Sequence, residues 1–121
     1  MRAPHLIRGR DAEARARRHL EDHGLACVSA NYRCQAGEID LIMREGPVVV
    51  FVEVRYRSDR SYGGALESID ARKQRRLRTT AEHYLQRKHR GPVPPCRFDV
   101  VLITGSGGDG GADIEWIQDA F

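Results

Sequence analysis

Apolar positions between residues 8 and 23 recur at helical spacing, with Ala12, Ala16 and Leu20 forming an inner stripe beside His19 or His23. Asp11 reads as the N-cap of this helix and Gly24 as its stop. Beyond residue 25 the period falls to two. Residues 25–33 read as a strand, and Glu38–Arg44 and Val48–Arg55 then alternate on either side of Glu45-Gly46-Pro47, turn chemistry for an antiparallel hairpin. The second hairpin strand is apolar on both faces as far as Glu53, the mark of a central strand. Residues 56–66 form a polar loop with a Gly63-Gly64 pair. Helical spacing returns from Ser68 to Arg87, with Ile69, Leu77, Ala81, Tyr84 and Leu85 inward, until Gly91-Pro92-Val93-Pro94-Pro95 stops it. Arg97–Ile103 is a further strand, and the helical crossover before it favours parallel pairing. Gly105–Gly111 reads as a flexible loop and Ile114–Ile117 as a short edge strand.

This order predicts an α/β fold with an αβββαβ core: a mixed sheet flanked by helices, with a trailing short strand. At 121 residues the chain is expected to be a single domain spanning 1–121. Its core occupies about 8–104, and a Gly-rich loop and acidic tail occupy 105–121.

Composition excludes some classes and leaves others open. With 40% hydrophobic and 31% charged residues the chain has an ordinary globular balance, with no stretch of membrane-span or signal-peptide length. Cys27, Cys34 and Cys96 are widely spaced and odd in number, which suggests reduced thiols in a cytoplasmic protein. The net charge of +3 hides an asymmetry. All 20 Lys and Arg lie before residue 105 against 13 of the 17 acids, while Asp109, Asp113, Glu115 and Asp119 follow it with no base. A basic body of this kind suits a polyanion.

Asp40 and Glu53 carry the clearest chemical signal, because both fall on strands that otherwise read as core. A desolvated carboxylate needs a partner or a metal. A two-residue loop at Glu45-Gly46 sets Asp40 opposite Phe51, diagonal to Glu53; a four-residue loop sets it directly opposite Glu53. Either register puts both carboxylates on one face, with Arg55 and Glu38, whereas a three-residue loop without a bulge separates them. Oxygen ligands without Cys or imidazole suit Mg²⁺ or Mn²⁺.

Gly9-x3-Glu13, Gly37-Glu-Ile-Asp-Leu-Ile42, Val50-Phe-Val-Glu-Val-Arg55 and Arg97-Phe-Asp-Val100 together resemble the YraN family of small bacterial proteins. That family is similar to archaeal Holliday-junction resolvases of the PD-(D/E)XK nuclease superfamily, and the resemblance covers roughly residues 8–104. It implies a restriction-endonuclease-like core and a metal-dependent endonuclease acting on structured, branched DNA. Under it Asp40 matches the metal-bridging aspartate, Glu53 the second carboxylate ligand, and Glu13 the helix glutamate that completes such sites. Resolvase-like relatives dimerise, so a homodimer is implied as well. Arg55 stands where the motif has lysine. Arginine stays protonated, so it can bind phosphate or orient water but cannot serve as general base. A non-catalytic nucleic-acid-binding module on the same fold is the alternative that Arg55 favours.

The helix supplies the remaining candidates. Arg72, Lys73, Arg75, Arg76 and Arg78 form a basic run suited to phosphate contacts, with Lys73 on the Ile69–Leu77 side, toward the sheet and the carboxylates. His19 and His23 have i, i+4 spacing but no third ligand, so packing or capping is the expectation. Asp99 sits in a core strand with no role that its neighbours define.

Overall fold

A computed structural model describes residues 4–57, 69–105 and 113–121. In chain order the elements are α1 (Pro4–Asp22), β1 (Ala26–Cys34), β2 (Gly37–Glu45), β3 (Val48–Arg57), α2 (Ala71–Lys88), β4 (Cys96–Thr104) and β5 (Asp113–Ile117). The Gly63-Gly64 pair and residues 106–111 of the Gly-rich stretch lie outside the described residues.

The five strands form one sheet in the order β1-β2-β3-β4-β5. Only the β3–β4 contact is parallel; the other neighbours are antiparallel. β3 is therefore central, as its two-sided apolar pattern predicts, and the α2 crossover makes β4 parallel to it. Each helix covers one face. Ala12, Ala16 and Leu20 of α1 pack with Leu41, Met43, Val50, Val52, Val101 and Ile103. On the other face Leu77, Ala81 and Tyr84 of α2 pack with Ile39, Ile42, Val49, Phe51 and Val100. The result is a three-layer α/β/α arrangement.

Both helix starts differ from the sequence expectation, and β3 continues through Arg57 into the expected 56–66 loop. α1 starts at Pro4, so Asp11 lies inside the helix and pairs with Arg15 at 3.1 Å instead of capping it. α2 starts later than Ser68: Asp70 is its N-cap, accepting from the Lys73 amide at 2.8 Å. Gly24 does close α1, at φ +95°, with its amide and that of Leu25 each 3.0 Å from the carbonyls of Glu21 and Leu20. His23 Nδ1 donates to the His19 carbonyl at 2.7 Å, closing the last turn of the helix.

Gly37 joins β2 to α2. It holds φ +156°, and a Cβ there would lie 3.4 Å from Thr80 Oγ1, a buried hydroxyl already donating to the Arg76 carbonyl. Gly37→Ala is expected to cost about 1–2 kcal/mol, read as a shifted urea midpoint with an unchanged m-value. An unchanged midpoint would show that this backbone is not constrained.

Candidate functional site

The β2–β3 turn is Gly46-Pro47, with Glu45 paired to Val48, and the ladder runs through Leu41↔Val52. The next opposed positions in that register are Asp40 and Glu53, the direct opposition that the four-residue loop would set. The ladder stops there because Asp40 Oδ2 accepts the Val54 amide at 2.8 Å, taking a donor that the neighbouring strand would otherwise use.

Asp40 also marks a change of face. Gly37 and Ile39 face α2, as does Ile42, whereas Leu41 and Met43 face α1. Strict alternation is broken once, at Asp40. The partner strand breaks at the matching place: Ala30 pairs with Leu41 and Tyr32 with Ile39, so the intervening Asn31 lies across from Asp40. Asn31 has φ +56°, a left-handed conformation that Asn tolerates better than most residues. The two breaks cancel, so pairing register is kept across the kink.

The kink lets both helices reach one spot. From α2, Lys73 Nζ lies 3.3 Å from Glu53 Oε2, and Arg55 Nε lies 3.2 Å from the same oxygen. From α1, Glu13 is close enough for its charge to act on Asp40, and it is hydrogen-bonded by the Asn31 side chain. Glu53 is only 6% exposed, so its charge depends on these cations.

Asp40 bears the cost of the arrangement. Burial and the adjacent Glu53 charge push its pKa up to about 8, against the opposing pull of the Val54 amide. Near neutral pH the Asp40 carboxyl therefore tends to keep its proton. Glu13 is also raised, chiefly by burial, and by Glu38 and Glu53, while Asn31 and Arg33 act the other way.

The structure therefore brings together Asp40, Glu53, Arg55 and Lys73, with Glu13 at one remove. Among the described residues no group of three His, Cys, Asp or Glu side chains stands at metal-holding spacing. The Asp40–Glu53 pair nevertheless fits a small divalent cation: it is oxygen-only, the Glu53 charge disfavours ionisation of Asp40, and a bound ion would replace the Asp40 proton. The basic run divides. Arg76 lines a recess with Lys73, Arg72 and Arg75 are exposed, and the Arg78 guanidinium lies 5.2 Å from the Phe98 ring centroid and 5.7 Å from that of Phe121. Sequence reasoning missed Asn31, whose only signal was a turn-favouring residue inside a strand pattern.

The family model described as Uncharacterised protein family UPF0102 matches residues 12–103. A UPF0102 protein of Methylobacillus flagellatus is 53% identical over 113 residues, 93% of this chain and 95% of its own length. One from Pseudomonas aeruginosa is 52% identical over 114 residues, 94% and 91% of the two chains. A third, from Pseudomonas fluorescens, is 50% identical over 113 residues, 93% and 91%. The YraN resemblance read from the motifs and these matches point to one family.

Proposed function

This chain belongs to the protein family UPF0102, and from that premise we propose that it is a metal-dependent endonuclease that hydrolyses phosphodiesters in branched DNA. The observation that carries the proposal is the Asp40–Glu53 pair: two carboxyls opposed at a strand kink, beside Lys73 and Arg55. Lys73 and Arg55 both engage Glu53, while Asp40 is left with a pKa far above the usual carboxylate range, a cost that a divalent cation between the two carboxyls would remove. The three-layer fold, with the pair on adjacent strands β2 and β3, is in keeping with a restriction-endonuclease-like core.

Asp40 and Glu53 would hold Mg²⁺ or Mn²⁺, with Glu13 as a third anionic neighbour. Such an ion lowers the pKa of water and stabilises charge on a phosphoryl oxygen. The chain's own residues then have separable tasks. Asp40, oriented by the Val54 amide, fixes one side of the site. Lys73 and Arg55 hold Glu53 in place and lie where a scissile phosphate would be neutralised. Arg55 contributes charge and hydrogen bonds but takes no proton.

The test uses purified protein, Mg²⁺ or Mn²⁺, and labelled branched, flapped and linear DNA. Cleavage of the branched forms is expected, with Asp40→Ala and Glu53→Gln each lowering the rate by about 100-fold or more. Cleavage that survives both changes would show that the carboxylates are not the site. A second reading is a binding module without turnover, favoured by the two cations already engaging Glu53. It predicts salt-dependent DNA binding with no cleavage in any metal.

A further inference from the structure

One helical stripe of α2 remains unexplained by packing. Lys73, Arg76, Thr80, His83 and Arg87 are spaced 3, 4, 3 and 4 apart, so they share one side of the helix. Thr80 is buried against Gly37; the others face the β1–β2 turn at Gln35 and Ala36. Between turn and helix lie two recesses. The first, about 190 Å³, is lined by Lys73, Arg76 and Glu38; the second, about 560 Å³, by Arg33, Gln35, Thr79, His83 and Arg87. Ala36 lines both, so they lie end to end along the helix as one interrupted channel, with Thr80 buried against Gly37 between them. Its carboxylate, Glu38, is ion-paired to Arg33, and its Lys73 end touches Glu53.

We propose that this channel is the track for one single-stranded arm of the nucleic acid, leading its phosphates to the Asp40–Glu53 pair. Four cations stand along it, and the stripe from Lys73 to Arg87 runs about 21 Å at helical rise, the reach of several phosphates. Recesses of about 190 and 560 Å³ between a helix and a hairpin turn are too small for a duplex to enter, so a single backbone is the form of nucleic acid that can lie in them. His83, hydrogen-bonded to the Tyr32 hydroxyl at 2.6 Å, places an aromatic ring in the channel against which a base can stack. Arg72 and Arg75 lie on α2 outside both recesses, and Arg78 is occupied by Phe98 and Phe121. The charged track is thus set by helical phase and includes Arg33 and Arg87, which lie outside the contiguous run.

The inference rests on the nucleic-acid reading above but not on turnover, so its test is binding in chelator. Anisotropy of labelled single-stranded, flapped and blunt duplex DNA would be measured across a salt series. Arg76→Ala with Arg87→Ala is expected to weaken single-strand and flap binding at least tenfold and to reduce the log–log salt slope by about 1.4. Ala36→Glu, which places an acid where the recesses meet, is expected to do the same, with thermal melts confirming that each variant folds. Arg72→Ala with Arg75→Ala removes the same charge outside both recesses and is expected to weaken binding clearly less than the channel pair does. The track is overturned if the outer pair costs as much as the channel pair, if blunt duplex binds as tightly as single strand, or if no DNA binds. Cleavage with normal binding by the channel variants would also overturn it while leaving the nuclease reading intact. Channel-dependent binding without cleavage would sink the nuclease reading alone.

Discussion

In chelator, the protein is expected to lose stability steadily as pH rises from about 4 to about 8, and Asp40→Asn is expected to abolish that loss. The Asp40 carboxyl is raised from 3.8 to about 8 by burial and by the Glu53 charge beside it. Between those values the folded chain holds a proton that the unfolded chain releases. Unfolding therefore liberates protons, and raising the pH favours it until the folded carboxyl has ionised above about pH 8. The full effect is on the order of 4–5 kcal/mol, or roughly 15 °C in Tm for a domain of this size. Asparagine keeps an oxygen for the Val54 amide and offers Glu53 a donor, so at pH 8 the variant should melt higher than the parent. Mn²⁺ at about 100 times its Kd should restore about 2.7 kcal/mol to the parent and nothing to the variant. A parent melting temperature that is flat from pH 4 to 8, or a variant that Mn²⁺ still stabilises, would remove the basis for a cation between these carboxyls.

The second large effect lies across the sheet. Asp99, fully buried on β4, accepts from Arg97 Nε at 3.0 and 3.2 Å, Trp116 Nε1 at 2.9 Å and the Asp119 amide at 2.9 Å. Arg97 in turn reaches Glu45 at 2.7 Å. One carboxylate thus ties β4 to β5 and to the turn that follows, while Phe121 stacks on Phe98 with centroids 5.1 Å apart. Asp99→Ala strands three donors and is expected to cost about 3–5 kcal/mol. Trp116 fluorescence should report the loosening, since the indole loses its partner. The carboxylate pair is elsewhere, so divalent-ion binding by the folded variant should be unchanged. A variant within about 1 kcal/mol of the parent would show that the C-terminal segment is held by packing alone. The described part of the acidic tail, residues 113–121, is therefore tied into the sheet, with Asp99 as its anchor.

Much of the fold was legible because the signals were local. Ala12, Ala16 and Leu20 at helical spacing, the unbroken apolar run before Glu53, and the Gly46-Pro47 turn each report on a few neighbouring residues. Boundaries were less so: Asp11 and Asp70 are equally good caps in sequence, and only the extent of the helix behind each decides which one acts.

By itself the sequence determined the element order and the central place of β3, and it put Asp40 and Glu53 on one face in two of the three hairpin registers it allowed, since a period of two with a short turn leaves few registers. It also placed Lys73 on the sheet side of α2, where it meets Glu53. Tertiary structure alone decided how the site is opened and what surrounds it. The face change at Asp40 and Asn31 breaks the alternation that a sequence reading must assume, and it is visible only when two strands distort together and keep register. The Asp99 hub likewise joins residues 97, 99, 116 and 119, whose contacts depend on β5 returning beside β4. Spacing can report which side of an element a residue takes; which other elements come to that side is settled by packing across the whole domain.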